Sequence, residues 1–580
     1  MPTADTVVEL VRQQAARCGE KVAFSYSYWG DGRGGVRVTF RELDIRARVV
    51  GAALQRRGAA GARVLVVCGP GLDGIAAIFG CWYAGAVAVP VSGRVGPGLA
   101  AVIADVRPGF AVASPGLPGS VRAAIDTVAE RAGGEPLVWC DVGEGDGQDW
   151  VAPGVDADSV AVIGYWAGSL RCPRGVVVTH ANLMAGVADA AAGWLGDRYA
   201  VVVSWLPVHQ PMGLVGVVLA TIYAGASAVL MAPGACVRRP MCWLEAVSRW
   251  RATVMLAPEE AYRWCVQRSS AAQGAGLDFS SVSSAVIAGV GVSLAATMGV
   301  FAEAFASAGF GSTVWRPVYG VAEATWLVAG GGDAAVVCCI DRVGMRSGWA
   351  LDTGPDDPDA VAVAGCGRPR QPVLIVDPDT RLECGPDEIG EIWVGGAAVA
   401  QGYWGVCAGS DQTFGTDLAA AGGWCVRTGD RGFVRRGELF VLGRCGDLVL
   451  VNGVNFRAGE LEATVQRRHA ALLSGRGAVF TDDGERLVVV QEVSCRIGEP
   501  ELNRLIPMIQ SALLEHHGIH ADSILLVDEM RLPTTPAGEV NRSACRWHYL
   551  DGGLDSRADW RAPSAPGPSR IRHHGLVSVK

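Results

Sequence analysis

The sequence predicts an α/β protein in which a large N-terminal domain of layered sheets and helices precedes a small α+β domain. Short β-branched runs alternate with helical patterns, as in Arg63 to Cys68, Leu72 to Tyr83 and Val87 to Val91. This alternation is typical of largely parallel sheets covered by helices. After Gly443 the pattern changes to closely spaced strand runs around one helix. We interpret this change as a hinge between two domains.

The domain boundaries follow from these changes in pattern. We assign residues 1–443 to the N-terminal domain and residues 444–552 to a mobile C-terminal domain, which begins with a hairpin pattern that turns at Asn452-Gly453 and a helix from Ala458. Residues 553–580 are rich in Pro, Ser, Arg and Gly and have little apolar periodicity. Such a composition cannot bury enough apolar surface to fold, so we expect a disordered tail.

Composition excludes several classes of protein. The chain has 580 residues, of which 50% are hydrophobic and 19% charged, so it can bury a large core. With a net charge of -8, the chain lacks the positive electrostatic potential that would attract nucleic acid, so we exclude nucleic acid as a partner. The 17 cysteines are scattered and show no zinc-ligand spacing, so reduced thiols are expected.

Neither a signal peptide nor a membrane span is expected. The N-terminus has the pattern of an amphipathic helix from Thr6 to Cys18 rather than a basic region before an apolar core. The uncharged segment from Gly213 to Met231 has about 19 residues, near the length that a bilayer requires. Glycines at Gly216 and Gly225 divide it into a helix and a short strand, so we predict a core segment and a cytoplasmic protein.

The segment from Asp158 to Leu183 has the pattern of a strand, a glycine-rich loop and a second strand. Loops of this kind hold phosphates through free backbone N–H groups, hydroxyls and a cation. Gly168, Ser169 and Arg174 supply these groups. The same pattern also fits an ordinary glycine turn between strands.

Five further motifs follow along the chain. They are WLPVHQPMGL (Trp205 to Leu214), VYGVAEAT (Val318 to Thr325), GEIWVGG (Gly390 to Gly396), RTGDRGF (Arg427 to Phe433) and GRCGDLVLVNGVNF (Gly443 to Phe456). With the glycine segment, this set resembles the adenylate-forming superfamily of acyl-CoA synthetases and peptide-synthetase adenylation domains. Residues 23–47 and an insertion-like segment at about residues 330–367 are similar to those of fatty acyl-AMP ligases.

The resemblance implies a ligase of lipid or polyketide biosynthesis. Such an enzyme joins the carboxylate of a fatty acid to the α-phosphate of ATP and expels pyrophosphate. It then transfers the acyl group to the phosphopantetheine thiol of an acyl carrier protein. ATP and Mg²⁺ are the implied cofactors, because two anions must meet and their charge must be neutralised.

The resemblance also implies roles for individual residues. Glu323 matches the catalytic carboxylate that is associated with the metal. The other implied roles are nucleotide contacts from Gly168, Ser169, Gly289, Tyr319 and Gly320, ribose contacts from Asp430 and Arg444, a hinge at Asp447, and substrate contacts from His209, Met212 and Gly213. A carboxylate suits the ribose role because its two oxygens accept hydrogen bonds from a diol.

Several positions depart from the family's motifs. Where the family has Thr-Ser-Gly-Ser-Thr, residues 166–170 contain one hydroxyl, that of Ser169, and Arg174 replaces a lysine. In the WLPVHQPMGL motif the family's aspartate is absent, and the histidine lies one residue earlier than in the family, at His209. The His209 side chain either reaches the site or is an ordinary packed or solvated histidine. Residues 288–292 are apolar where the family has Asn-Gly-Ala-Glu-Pro.

The sharpest departure is Glu539, which takes the place of a catalytic lysine. Replacing attraction by repulsion at roughly 4 Å costs several kcal/mol even at a dielectric near 20. Adenylation would then slow by orders of magnitude, unless Glu539 points to water or Arg542 or Arg546 substitutes.

Three functions therefore remain open at the level of sequence. The first is an active fatty acid–AMP ligase, which the fold and most nucleotide contacts favour. The second is a catalytically impaired relative that binds nucleotide, acyl chain or carrier protein as a scaffold. The third, acyl-CoA ligation, requires that the insertion-like segment does not block transfer to coenzyme A.

Overall fold

A computed structural model describes residues 4–27, 35–69, 71–92, 95–169, 172–269, 276–291, 293–332, 334–378, 380–405, 413–415, 423–444, 448–451, 454–482, 486–534 and 540–562. The chain divides into two compact units. The first comprises residues 1–342 and 350–442, and the second comprises residues 343–349 and 443–580. Each is a mixture of helices and sheets, which confirms the predicted α/β class.

The strands up to residue 444 are, in chain order, β1 (Val22–Ser27), β2 (Val36–Thr39), β3 (Arg63–Val67), β4 (Val87–Pro90), β5 (Phe110–Ala113), β6 (Val138–Asp141), β7 (Val160–Ser169), β8 (Cys172–Thr179), β9 (Val201–Ser204), β10 (Ser227–Met231), β11 (Val254–Pro258), β12 (Ser284–Ala288), β13 (Trp315–Val321), β14 (Trp326–Gly330), β15 (Val337–Asp341), β16 (Ala360–Ala364), β17 (Val373–Val376), β18 (Gly390–Gly395), β19 (Phe414–Gly415), β20 (Cys425–Arg435) and β21 (Glu438–Arg444).

The helices before residue 350 are α1 (Val7–Cys18), α2 (Phe40–Arg56), α3 (Asp73–Tyr83), α4 (Pro97–Val106), α5 (Gly119–Arg131), α6 (His180–Trp194), α7 (Pro211–Gly213), α8 (Ala220–Ala224), α9 (Pro233–Arg238), α10 (Met241–Arg249), α11 (Glu259–Arg268), α12 (Ser293–Ala304) and α13 (Arg342–Arg346). Short 3₁₀ turns cover Ala306–Ala308, Ser312–Val314 and Ala322–Ala324.

Two sheets dominate the first unit. Within the described residues, one has eight strands in the order β14-β13-β12-β11-β9-β10-β1-β2. The six inner strands of this sheet pair in parallel with one another. The edge strands β2 and β14 pair antiparallel with β1 and β13. The other has the order β6-β5-β3-β4-β7-β8 and is parallel except for the β7–β8 hairpin. The prediction of largely parallel strands is confirmed.

Smaller sheets complete the first unit. Strands β17, β18, β20 and β19 lie side by side, and β21 pairs with β20. Strands β15 and β16 form a separate antiparallel pair within the insertion-like segment.

Helix starts follow local capping signals. Thr39 and Thr179 each form a capping box with the third residue of the helix that follows, α2 and α6 respectively. The Thr6 side chain accepts a hydrogen bond from the backbone N–H of Glu9 at the start of α1. These contacts satisfy N–H groups that have no partner inside the helix, so the predicted N-terminal helix is confirmed.

An aromatic cluster holds the first residue of β13, Trp315, in place. The rings of Phe301 and Trp315 each lie 5.1 Å from that of Tyr262, and the ring of Phe310 lies 5.0 Å from that of Phe301. All four side chains are buried. Edge-to-face packing of this kind ties α11 and α12 to the strand that leads into the motif containing Glu323.

The uncharged segment from Gly213 to Met231 is divided as predicted. A π-helical turn (Leu214–Leu219) continues from α7 into α8, and β10 follows. A Cβ on Gly216 would lie 2.2 Å from the ring of Trp326, so this close approach requires glycine. In the described part of the chain, no helix is both long and apolar enough to cross a membrane.

The second unit contains a hairpin and a four-stranded sheet within its described residues. The hairpin consists of β22 (Leu448–Val451) and β23 (Val454–Arg457). The sheet order is β24 (Leu472–Thr481), β25 (Leu487–Val493), β26 (Ser523–Asp528) and β27 (Ala558–Arg561). The accompanying helices are α14 (Ala458–Gln466), α15 (Glu499–His517) and α16 (Arg542–Leu550).

The expectation of a disordered tail from residue 553 was wrong for residues 558–561. These residues form β27, which pairs antiparallel with β26. Ala558 and Trp560 pack against the core of the second unit, and Arg557 Nη2 donates to the Ile497 carbonyl at 2.8 Å. Two apolar contacts and a sheet edge therefore order a segment whose composition is mostly polar. Residues 563–580 lie outside the described residues.

Candidate functional site

Glu323 lies on the 3₁₀ turn that connects β13 to β14. The two residues that follow its neighbour Ala324 have left-handed backbones, with φ of 52° at Thr325 and 84° at Trp326. Such conformations are costly for non-glycine residues and occur often at functional sites. Thr325 Oγ1 donates to the Ala398 carbonyl at 2.6 Å, which holds the turn in place.

Gly320 allows this turn to form. The register of the β13–β14 pair shifts between Tyr319 and Gly320. A Cβ on Gly320 would lie 1.9 Å from the Trp326 carbonyl oxygen. The two strands can approach only because this residue has no side chain.

The Glu323 carboxylate accepts a hydrogen bond from Tyr403, with 2.6 Å between Tyr403 Oη and Glu323 Oε1. Burial, followed by the charge of Glu323, raises the pKa of Tyr403, and the neighbouring Arg174 acts in the opposite direction. The phenol is therefore a neutral donor near neutral pH. The backbone of Ala400 also donates to the Glu323 carbonyl at 2.8 Å. Sequence reasoning missed Tyr403; its signal was an aromatic pair between Gly402 and Gly405.

Arg174 also contacts Tyr403. Its guanidinium carbon is 5.1 Å from the centroid of the tyrosine ring, the geometry of a cation–π contact. Arg174 belongs to β8, where it pairs with Ala167 of β7. Gly168 and Ser169 extend β7 opposite Pro173 and Cys172, so these residues of the predicted loop are strand residues.

Tyr319 and Asp430 form a second tyrosine–carboxylate pair. Tyr319 Oη donates to Asp430 Oδ2 at 2.6 Å, and both side chains are buried. Burial, followed by the charge of Asp430, raises the pKa of Tyr319 well above its ordinary value, so this phenol also remains a donor. The Asp430 backbone N–H donates to Thr428 Oγ1 at 3.0 Å across Gly429, whose φ is 69°.

The motif around His209 packs against the β7–β8 hairpin. Trp166 Nε1 donates to the His209 carbonyl at 2.7 Å. Burial lowers the pKa of His209 to about 4, and its imidazole has no hydrogen-bond partner among the described residues. Met212 packs against the main core. A Cβ on Gly213 would lie 2.1 Å from the Pro207 carbonyl oxygen, so glycine closes this turn.

Gly289 lies beside a buried carboxylate that sequence reasoning did not single out. A Cβ on Gly289 would lie 2.9 Å from Oε2 of Glu259, which is 4% exposed. Glu259 accepts hydrogen bonds from Thr297 Oγ1 at 2.8 Å and Ser293 Oγ at 3.2 Å. Burial raises the pKa of Glu259, and these hydroxyls and Arg263 offset part of that effect.

The remaining predicted site residues belong to the second unit. Arg444 ends β21 and is exposed. Asp447 and Glu539 lie outside the described residues.

The two arginines near Glu539 have partners within the second unit. Arg542 forms a two-pronged ion pair with Glu462, with Nε–Oε1 and Nη2–Oε2 distances of 2.6 and 2.8 Å. Arg546 Nε donates to the Thr481 carbonyl at 2.8 Å. These contacts argue against either guanidinium replacing the family's lysine.

The donor set around Glu323 is compatible with Mg²⁺ held partly by phosphates. No group of three or more acidic, histidine or cysteine side chains among the described residues is arranged to hold a metal ion. Mg²⁺ is commonly bound by one or two carboxylates together with substrate phosphates. Glu323 Oε2 accepts no hydrogen bond from the described residues and is available for that role.

Two family comparisons cover most of the chain. Residues 11–404 match the AMP-binding enzyme family. Residues 446–559 match the AMP domain of the Disco-interacting protein 2-like family.

Among curated proteins, the medium-chain-fatty-acid–[acyl-carrier-protein] ligase JamA of Moorena producens is 31% identical, over 97% of both chains. The long-chain-fatty-acid–AMP ligase FadD32 of Mycolicibacterium smegmatis is also 31% identical, over 95% of both chains.

Among solved structures, the fatty acid AMP ligase of Legionella pneumophila is 28% identical with a TM-score of 0.71, covering 96% of this chain and 98% of that one. Its complex with acyl adenylate and pyrophosphate matches equally well.

Proposed function

Because the chain belongs to the fatty acyl-AMP ligases of the AMP-binding enzyme family, we propose that it activates a fatty acid to an acyl-adenylate and transfers the acyl group to an acyl carrier protein. In the first step a carboxylate oxygen bonds to the α-phosphorus of ATP and pyrophosphate leaves. In the second, the carrier's thiol attacks the acyl carbon and AMP leaves. The described cysteines are free thiols, which fits a cytoplasmic location.

The observation that carries this proposal is the contact of both Arg174 and Glu323 with Tyr403. Arg174 belongs to the β7–β8 hairpin and Glu323 to the turn after β13, and the two are far apart in sequence. Together they offer a cation for phosphate oxygens and a carboxylate for a metal ion. Mg²⁺, when bound, would neutralise charge on the transferred and departing phosphates.

Asp430 supplies the second element of the proposed nucleotide site. Its carboxylate accepts from Tyr319 through Oδ2, which fixes the orientation of the group. We assign Asp430 to the ribose hydroxyls, because a carboxylate held in one orientation can accept from a diol. Gly320 and Tyr319 would then line the nucleotide from β13.

A second candidate is a protein that binds nucleotide or carrier protein without turnover. The observation that favours it lies in the second unit, where Arg542 is paired with Glu462 and Arg546 with a backbone carbonyl. With Glu539 at the lysine position, no described cation there replaces the missing charge.

The activity test is hydroxylamine trapping with ATP, Mg²⁺ and fatty acids of several lengths. Acyl-hydroxamate should form with the native chain and fall at least about 100-fold in Glu323→Ala, the scale expected for loss of electrostatic catalysis. Glu303→Ala, which removes an exposed glutamate of α12, is the matched control. No product above the Glu323→Ala level at any chain length would exclude the ligase proposal.

Further measurements distinguish the ligase from the non-catalytic candidate and identify the acceptor. Glu539→Lys should raise the rate of pyrophosphate release if the missing ammonium limits adenylation. Binding of ATP by calorimetry without hydroxamate in either protein would instead favour the non-catalytic candidate. Supplying coenzyme A and a carrier protein in parallel reactions identifies the acceptor.

A further inference from the structure

We propose that Tyr403 is a positioning residue for adenylation, because it holds Arg174 and Glu323 close together while preventing them from neutralising each other. The inference rests on the proposed function, in which Arg174 faces phosphate and Glu323 faces the metal ion. Tyr403 lies after the GEIWVGG motif and before the RTGDRGF motif, outside both.

The hydroxyl of Tyr403 fixes one oxygen of Glu323. The 2.6 Å hydrogen bond to Oε1 is short, as expected for a bond to a charged acceptor. A neutral donor orients the carboxylate without cancelling its charge. The second oxygen, Oε2, remains available for a cation.

The ring of Tyr403 fixes Arg174. The guanidinium lies 5.1 Å from the ring centroid, so the π face attracts the cation while the hydroxyl at the ring's edge contacts Glu323. Within the described residues, Arg174 and Glu323 form no ion pair with each other. A direct ion pair would satisfy both charges internally, whereas their contacts with Tyr403 leave each of them available to a ligand.

The position of the ring does not depend on its hydroxyl. Trp404 N donates to the Gly175 carbonyl at 2.6 Å, and Val177 N donates to the Gly402 carbonyl at 3.0 Å, so the backbone around Tyr403 is bound to β8. The ring of Phe414 also packs edge-on against that of Tyr403, with centroids 5.2 Å apart. A phenylalanine at position 403 would therefore keep the ring and lose only the contacts of the hydroxyl, with Glu323 and Arg174.

This geometry makes Tyr403→Phe an informative variant. We expect the Mg²⁺ concentration for half-maximal pyrophosphate release to rise roughly tenfold, since a hydrogen bond to a charged group is lost. The melting temperature should also fall, because the lost bond joins two distant segments of the folded chain. Tyr403→Leu, which removes the ring as well, should also raise the KM for ATP, because Arg174 becomes free to pair with Glu323.

The matched control is Tyr83→Phe. Tyr83 Oη donates to Asp44 Oδ1 at 2.7 Å, so this variant removes another buried tyrosine–carboxylate hydrogen bond, on helices α3 and α2. It should alter stability and leave the Mg²⁺ dependence unchanged. An equal shift in Mg²⁺ dependence in both variants would overturn the positioning role.

Calorimetry with a non-hydrolysable ATP analogue and varied Mg²⁺ separates this inference from the proposed function. If the native chain binds the Mg²⁺-analogue complex but forms no hydroxamate, the ligase proposal fails, and weaker Mg²⁺-dependent binding by Tyr403→Phe still supports the positioning role. If Tyr403→Phe matches the native chain in Mg²⁺ dependence, the inference fails while the ligase proposal stands. If the native chain binds no nucleotide, both fail.

Discussion

Tyr319 donates a hydrogen bond to Asp430 across 2.6 Å, although 111 positions separate the two residues in sequence. The contact joins β13, the strand before Glu323, to β20, which contains the RTGDRGF motif. Tyr403 donates to Glu323 in the same way, so the two carboxylates of the candidate site, Asp430 and Glu323, each have a tyrosine partner. In each case one carboxylate oxygen is held by a neutral donor, so the negative charge is oriented and retained.

Tyr319→Phe should weaken nucleotide binding and lower stability. A hydrogen bond to a charged group contributes about 1.5–3 kcal/mol, so the unfolding free energy should fall by roughly this amount and the KM for ATP should rise. Denaturant titration and steady-state pyrophosphate assays measure the two effects.

The same variant should discriminate less between ATP and 2′-deoxyATP, because Asp430 would no longer be held in one orientation. Asp430→Ala should abolish most of that discrimination. Unchanged discrimination in both variants would rule out the ribose role of Asp430.

His209 should make the protein sensitive to acid without shaping its activity near neutral pH. Burial lowers its pKa to about 4, while an unfolded histidine titrates near 6.5. Between these values the unfolded state binds more protons, so stability falls as the pH drops, by up to about 3 kcal/mol from this residue.

We therefore expect His209→Asn to show a smaller loss of unfolding free energy from pH 6.5 to 4 than the native chain. The exposed His516→Asn variant is the control and should follow the native curve. The pH–rate profile of His209→Asn should keep its shape above pH 7. An inflection lost near pH 7 in that variant would show that the imidazole titrates there.

Glu259 should have the opposite pH dependence. Burial raises its pKa, so the folded state disfavours its charged form and stability falls as the pH rises from the ordinary glutamate range through the raised value. Glutamine has no charge to bury. The stability of Glu259→Gln relative to the native chain should therefore increase over that window.

Thermal unfolding at a series of pH values measures this effect for Glu259. The neighbouring Glu260→Gln, at a side chain that pairs with Arg263 near the surface, is the matched control. Parallel curves for Glu259→Gln and the native chain would contradict the prediction.

Breaking a buried ion pair should destabilise the second unit strongly. Glu492 is 1% exposed and forms two hydrogen bonds with Arg476, at 2.8 and 2.9 Å, and it also accepts from the backbone of Leu532. Arg476→Ala leaves an uncompensated buried carboxylate, which should cost about 3–5 kcal/mol. Arg468→Ala breaks an exposed pair with Glu515 and should cost less than about 1 kcal/mol.

Hydrogen exchange of peptides that cover β25 and β26 reports this difference within the full chain. Burial alone would raise the pKa of Glu492, but Arg476 and backbone N–H groups hold it below its ordinary value. Its contribution is therefore present above the ordinary glutamate pKa and is lost as the pH falls through the lowered value. Equal exchange rates in the two alanine variants would contradict the prediction.

The sequence was sufficient for the α/β class, the parallel strand runs and the order of the motifs. The assignment of Glu323, Asp430 and Arg174 to the site also came from the sequence and stays a prediction. These features depend on local signals: β-branched runs, capping residues such as Thr179, and short polar motifs after strands. Local signals failed at residues 558–561, because the partner strand β26 that orders them is distant in sequence.

The pairings within the candidate site were decided by the tertiary structure. Tyr403 and Glu323 are 80 positions apart, and their hydrogen bond exists because the segment around Gly402 pairs with β8 while β13 ends beside it. Glu259 likewise meets Gly289 because β11 and β12 are parallel neighbours. Residue types along the chain determined which charges the protein carries. The register of its sheets determined which groups hold those charges apart.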